Sequence, residues 1–210
     1  MLSVTSDSGS SNGDQQNDFS FLMMPEIVYY PFLAFEACKA GDLDSVQELA
    51  RHGGNVCQTT EEGWTLMLLS CYYGHLNIVQ FLFQNGAKDD VRRPAAKSKG
   101  QTPMFIACEK GHLNIVQFLF QNGAKDDVRR PNNYGWTPML AACYYGHLNI
   151  VQFLFQNGAK DDVRQPVDDG TTPMWFACQE DHLSIVQFLF QNGAKDDIKR
   201  PDNNGATPMF

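Results

Sequence analysis

HLNIVQFLFQNGAKDDV stands at His75–Val91, again at His112–Val128 and again at His147–Val163. A fourth copy from His182 differs at Ser184 and Ile198. The starts lie 37, 35 and 35 residues apart. Self-similarity at such a period marks a stacked-repeat architecture. Each unit contacts its neighbours, and the stack offers a long open surface rather than an enclosed pocket. The sequence therefore asks first what the chain binds.

Each unit reads alike outward from this stretch. Thr137-Pro138 opens a short helix, with Thr able to cap free N–H groups and Pro suited to the first turn. Met139, Leu140, Ala141, Ala142 and Cys143 follow, and Gly146 ends it. Leu148, Ile150, Val151, Leu154 and Phe155 recur at helical spacing and give a second helix one apolar face. Asn157-Gly158 stops that helix. The polar remainder, AKDDVRQPVDDG, carries turn signals at Pro166 and Asp168-Asp169-Gly170. The expectation is all-α: helix, turn, helix, projecting hairpin-like loop. Helices of about ten residues are marginal alone, so stability must come from stacking.

The residues resemble the ankyrin repeat. Its T-P-L-H-x-A element appears as Thr102-Pro103-Met104-Phe105-Ile106-Ala107, with counterparts from Thr137, Thr172 and, more weakly, Thr65. Gly111-His112-Leu113-Asn114-Ile115-Val116 and Asn122-Gly123-Ala124 match two further elements. Pro31–Val56 looks like a capping repeat. The implied organisation is an extension over 1–30 and an ankyrin domain over 31–210. The domain divides into a cap at about 31–60, units at about 61–97, 98–132, 133–167 and 168–202, and a partial unit at 203–210. The extension opens with a polar stretch expected to be disordered. Its residues 19–30, FSFLMMPEIVYY, are apolar and either pack on the first unit or form a linear motif.

Three features depart from the family. Leu68, Phe105, Leu140 and Trp175 replace the His of T-P-L-H, so apolar packing should replace its hydrogen bonds. The units run 35 or 37 residues, with the extra length in the loop, so longer fingers are expected. The sequence stops at Phe210, in the opening of a further unit, which suggests a segment of a longer protein such as an enzyme or channel.

Of 24 acidic residues, four lie in 1–30, where no Lys or Arg occurs. The net charge of −8 and pI near 5.0 argue against a nucleic-acid backbone as partner. No apolar run is long enough to span a membrane, and no signal-peptide pattern opens the chain. A cytoplasmic or nuclear monomer is expected.

Cys-x3-His recurs at Cys71/His75, Cys108/His112, Cys143/His147 and Cys178/His182. That spacing could ligate zinc, but one Cys per unit in the helix seam and one His per turn are explained by packing. No metal and no cofactor are expected. Paired acids at Asp89-Asp90, Asp126-Asp127, Asp161-Asp162 and Asp196-Asp197, with Arg92-Arg93 and Arg129-Arg130, predict a solvated ladder between loops. No nucleophile–base pair or phosphate loop is present, so the chain is read as non-enzymatic.

Differences between copies gather at loop tips and first-helix ends. In ankyrin proteins these positions line the partner face. They are Trp64, Tyr72 and Tyr73; Lys99, Gln101, Glu109 and Lys110; Tyr134, Trp136, Tyr144 and Tyr145; and Asp168, Asp169, Gln179 and Glu180. Two aromatic patches on the order of 20 Å apart are expected, with a charged unit between them. Tyr and Trp carry interface energy, which implies a protein partner. Packing against adjacent fingers, or accidents of recent duplication, would explain the same pattern.

Overall fold

The computed structural model describes residues 26–97 and 99–208. The disordered tail expected over most of 1–30 lies outside them. Among the described residues, ten α-helices form five antiparallel pairs. The inner layer is α1 (Glu26–Ala40), α3 (Leu66–Tyr73), α5 (Pro103–Lys110), α7 (Pro138–Tyr144) and α9 (Pro173–Gln179). The outer layer is α2 (Leu43–Arg51), α4 (Leu76–Gln84), α6 (Leu113–Gln121), α8 (Leu148–Gln156) and α10 (Leu183–Gln191). Each inner helix packs on the next in chain order, and each pair closes on itself. The first turn of α1 lies in the stretch 1–30 assigned to the extension.

The local chemistry repeats with the sequence. Thr65, Thr102, Thr137 and Thr172 accept a hydrogen bond on Oγ1 from the backbone N–H three residues on, at 3.1–3.2 Å. Asn85, Asn122, Asn157 and Asn192 close the outer helices by donating Nδ2 to Phe81, Phe118, Phe153 and Phe188 carbonyls. Cys38, Cys71, Cys108 and Cys143 fill the seam between layers. In the outer layer Phe83, Phe120 and Phe155 meet Phe118, Phe153 and Phe188 of the next unit edge to face, at 5.4–5.6 Å.

A second joint crosses every step of the stack. Ring Nε2 of His75, His112, His147 and His182 donates to the carbonyl of Lys39, Tyr72, Glu109 and Tyr144, one unit earlier, at 3.0–3.2 Å. Each ring lies over a glycine, Gly41, Gly74, Gly111 or Gly146, whose φ of 77–86° ends an inner helix. At the corresponding fifth place stands Asp181, with φ 58° the one non-glycine at positive φ among the described residues.

The T-P-L-H position is apolar as expected: Leu68, Phe105 and Leu140 are buried. Trp175 is less covered, and its buried Nε1–H has no partner among the described residues. Two expectations are corrected. The fingers are not simply longer, because Lys125–Val128 and its counterparts coil into 3₁₀ turns. The finger closes later, with Asn132 N–H on Trp136 O at 2.9 Å. Neighbouring fingers join through Asn133 N–H to Lys99 O and Asn203 N–H to Asp169 O.

The charge ladder is not solvated throughout. The second Asp of each pair (Asp90, Asp127, Asp162 and Asp197) is buried inside the 3₁₀ turn, while the first remains exposed. Arg92, Arg129 and Arg164 each reach forward to the buried Asp of the next unit, at 2.8–3.1 Å. Arg93, Arg130 and Arg200 approach the buried Asp of their own unit. Helical turns bury the second carboxylate because its neighbour Val91, Val128 or Val163 anchors the turn in the core.

Candidate functional site

The inner helices all end on one face, beside the finger roots. Register places Lys39, Tyr72, Glu109, Tyr144 and Gln179 one after another along it, followed by Tyr73, Lys110, Tyr145 and Glu180. The aromatic members pack edge to face. Trp64 meets Tyr72 at 5.9 Å between ring centroids, and Tyr72 meets Tyr73 at 5.0 Å. Trp136 meets Tyr144 at 5.5 Å, and Tyr144 meets Tyr145 at 4.8 Å. Phe176 supports the second group from beneath, 5.0 Å from Trp136 and 5.4 Å from Tyr144.

Lys110 joins these groups, so they are not separate patches. Its Nζ lies 4.4 Å from the Tyr72 ring centroid and 5.7 Å from that of Tyr145. The two distances bound the separation of those rings at about 10 Å. The estimate of about 20 Å took one charged unit as a gap. Instead, the lysine stem extends along the face and its ammonium sits between ring faces, where the quadrupole attracts it. Glu109 Oε1 pairs with that ammonium at 2.9 Å, and Glu109 Oε2 accepts from Gln101 Nε2 at 2.6 Å. Burial works to lower the Lys110 pKa. The bond to Glu109 and the nearby Tyr72 outweigh it, and the net shift is upward. Burial raises the Tyr145 pKa, so its hydroxyl stays neutral.

An open cavity lies on each side of this bridge. The first, about 370 Å³, is lined by Phe35, Lys39, Trp64, Leu69, Tyr72 and Tyr73, with Thr60 and Glu62 at the finger edge. The second, about 360 Å³, lies among Lys99, Gln101, Glu109, Tyr134, Trp136, Tyr144 and Tyr145. Lys99 Nζ stands 6.0 Å from the exposed Tyr134 ring.

Eleven of the fifteen residues singled out in the sequence thus meet around two cavities and one lysine. Asp168, Asp169, Gln179 and Glu180 line neither. Asp169 is committed to its own finger, accepting from the Thr171 N–H at 2.9 Å, and the Asp168 carbonyl accepts from Asn203 Nδ2. Phe35, Lys39 and Leu69 belong to the first cavity and were missed. Repeat register could have found two of them. Phe35 occupies the T-P-L-H histidine position of the cap, and Lys39 the place of Tyr72.

The Cys-x3-His pairs do not converge. Burial pushes the Cys38 thiol up to about 11 and raises those of Cys71, Cys108 and Cys143 further. Each histidine turns away from its cysteine to a backbone carbonyl. Among the described residues no group of three or more His, Cys, Asp or Glu is placed to hold a metal ion. No described helix is long and apolar enough to cross a membrane.

A family model described as ankyrin repeats in three copies matches residues 33–130 and 90–165, and one described as the ankyrin repeat matches 169–203. The chain is similar to protein phosphatase 1 regulatory subunit 27 of Homo sapiens and of Mus musculus. Each is 34% identical over 56 residues, which is 27% of this chain and 36% of the relative. The match therefore spans little more than a third of the length of these curated relatives.

Proposed function

The chain belongs to the ankyrin-repeat family, and from that premise we propose a non-enzymatic adaptor or scaffold that grips one protein partner on its concave face. One observation carries this: the Lys110 ammonium between Tyr72 and Tyr145, which makes one continuous aromatic surface of two cavities. Tyr73, Tyr134 and Tyr145 remain exposed on it, and contiguous exposed aromatic surface is uncommon unless it is used. The charges at its centre are matched internally, so a partner can cover them without stranding a carboxylate. The likeness to a phosphatase regulatory subunit supports a role exercised through another protein. Six free thiols fit a reducing compartment, the cytoplasm or nucleus.

The test combines two exposed tyrosines with the half-buried Lys110 between them, and the melting temperature reports whether folding survives. Tyr73→Ser, Tyr145→Ser and Lys110→Glu are combined and compared with the unaltered chain in affinity capture from native extract. Loss of a captured protein at unchanged melting temperature supports the adaptor. Equal capture by both forms removes the concave face from consideration.

A further inference from the structure

We propose that the partner segment gripped on the concave face is extended and ordered in charge, with an acidic side chain over the third unit, a large apolar side chain in the Trp136 cavity and a basic side chain over the fifth unit. This deepens the function proposed above and rests on it.

In the fourth unit Tyr134, Trp136, Tyr144 and Tyr145 line the cavity. Repeat register puts Lys99, Gln101, Glu109 and Lys110 at the same four positions one unit earlier. It puts Asp169, Thr171, Gln179 and Glu180 there one unit later. The charge thus passes from two lysines against one glutamate, through none, to two carboxylates. The apolar cavity stands where the sign changes.

Neither charged side is cancelled within the chain. Glu109 is committed to Lys110 at 2.9 Å. Lys99 is left with the Tyr134 ring, 6.0 Å away, and makes no ion pair among the described residues. Asp168, Asp169 and Glu180 make none either. Asp168 and Asp169 are exposed and Glu180 is half-exposed. The cations of the fifth unit, Lys195, Lys199 and Arg200, all follow α10, where Lys195 lies over Phe190 and Arg200 approaches Asp197.

Inner helices of successive units pack about 10 Å apart. An extended segment with three residues per turn rises about 3.1 Å per residue, so every third side chain falls on one face, about 9 Å from the last. One such segment reaches all three places, and its middle side chain enters a cavity of about 360 Å³. Charges arranged in this way fix the register of the segment and exclude segments of the wrong order more than they add affinity. A uniformly basic segment meets Lys99, and a uniformly acidic one meets Asp169 and Glu180. A nucleic-acid strand, acidic along its whole length, is disfavoured on the second count.

The full chain is immobilised and a phage-displayed library of random linear dodecapeptides is selected on it. Enriched peptides are expected to carry an aromatic or branched residue with Asp or Glu three positions to one side and Lys or Arg three positions to the other. Each should stand several-fold above its frequency in the unselected library. Selection on Asp168→Lys combined with Glu180→Lys should abolish the Lys and Arg preference and keep the apolar one. Selection on Lys99→Glu should do the same to the Asp and Glu preference. If the double reversal lowers the melting temperature, Glu180→Gln alone reads the same preference. No enrichment, an apolar anchor without charge order, or a charge order that these substitutions leave unchanged overturns the proposal and leaves the concave face standing as a partner surface. Enrichment that survives Tyr73→Ser, Tyr145→Ser and Lys110→Glu together means that the peptides bind elsewhere, and overturns both readings.

Discussion

The His147 ring lies so close over Gly111 that a Cβ built on the glycine would stand 2.6 Å from ring Cε1. The glycine also sits at φ 81°, where a side chain costs about 1–2 kcal/mol. Gly111→Ala is therefore expected to destabilise by about 2–4 kcal/mol, backbone strain adding to overpacking. Urea unfolding measures it; a cost below about 1 kcal/mol would show that the ring is free to move aside.

Asp181 occupies the same place at φ 58°. Asp181→Gly should relieve the positive φ and stabilise by about 1 kcal/mol. Glycine is therefore favoured at both equivalent positions, and a pair of urea midpoints decides it.

Stability should fall on mild acidification through His147. Burial lowers its pKa from the usual 6.5, against the bond to the Glu109 carbonyl and with help from neighbouring cations. Nε2 must carry the proton to donate to that carbonyl, so the neutral ring already satisfies the joint. The unfolded chain binds the proton more readily. Stability is thus full above pH 6.5 and declines as pH falls from there towards the folded pKa. His147→Gln should flatten that slope, as read from urea midpoints between about pH 7.5 and 5.

The buried aspartates should not be equivalent. Asp127 meets two arginines, Arg92 and Arg130, whereas Asp162 meets Arg129 and has Gln165 where the second arginine would stand. Burial raises the Asp162 pKa above 3.8 more than Arg129 lowers it. A raised carboxyl binds its proton more readily in the folded chain, so this destabilising contribution is present above the folded pKa and fades as pH falls towards 3.8. Asp162→Asn should be near neutral at about pH 7. Asp127→Asn should cost about 1–2 kcal/mol, discounted because its arginines are half exposed. Thermal unfolding of the two variants at neutral pH tests the order.

The outer aromatic ladder predicts a gradient. Phe155 packs edge to face on Phe188 at 5.4 Å, while its counterpart Phe190 is 41% exposed. Phe155→Ala should cost about 2–3 kcal/mol and Phe190→Ala under about 1 kcal/mol. Equal costs would mean that the edge contacts between units contribute little.

The helices and their ends were legible because each copy carries its own punctuation. Thr-Pro opens, Gly closes, and Asn-Gly stops the second helix, and these act within a few residues of chain. The binding face was legible in outline because otherwise identical copies differ there. In the sequence Lys110 stands as a charge that divides two patches, since its destination depends on rings in the units before and after it. The aspartate pairs stand there as solvated, since period and composition do not show which member a 3₁₀ turn points inward.

The sequence by itself determined the repeating unit, its caps and turns, and the face on which the copies vary, because those follow from backbone preferences and from apolar spacing along one segment. Only the tertiary structure decided that His147 bonds to Glu109, that Arg129 reaches Asp162, and that Lys110 lies between Tyr72 and Tyr145. Long polar side chains have many rotamers of similar energy, and the neighbouring unit, some 35 residues away in the chain, selects among them.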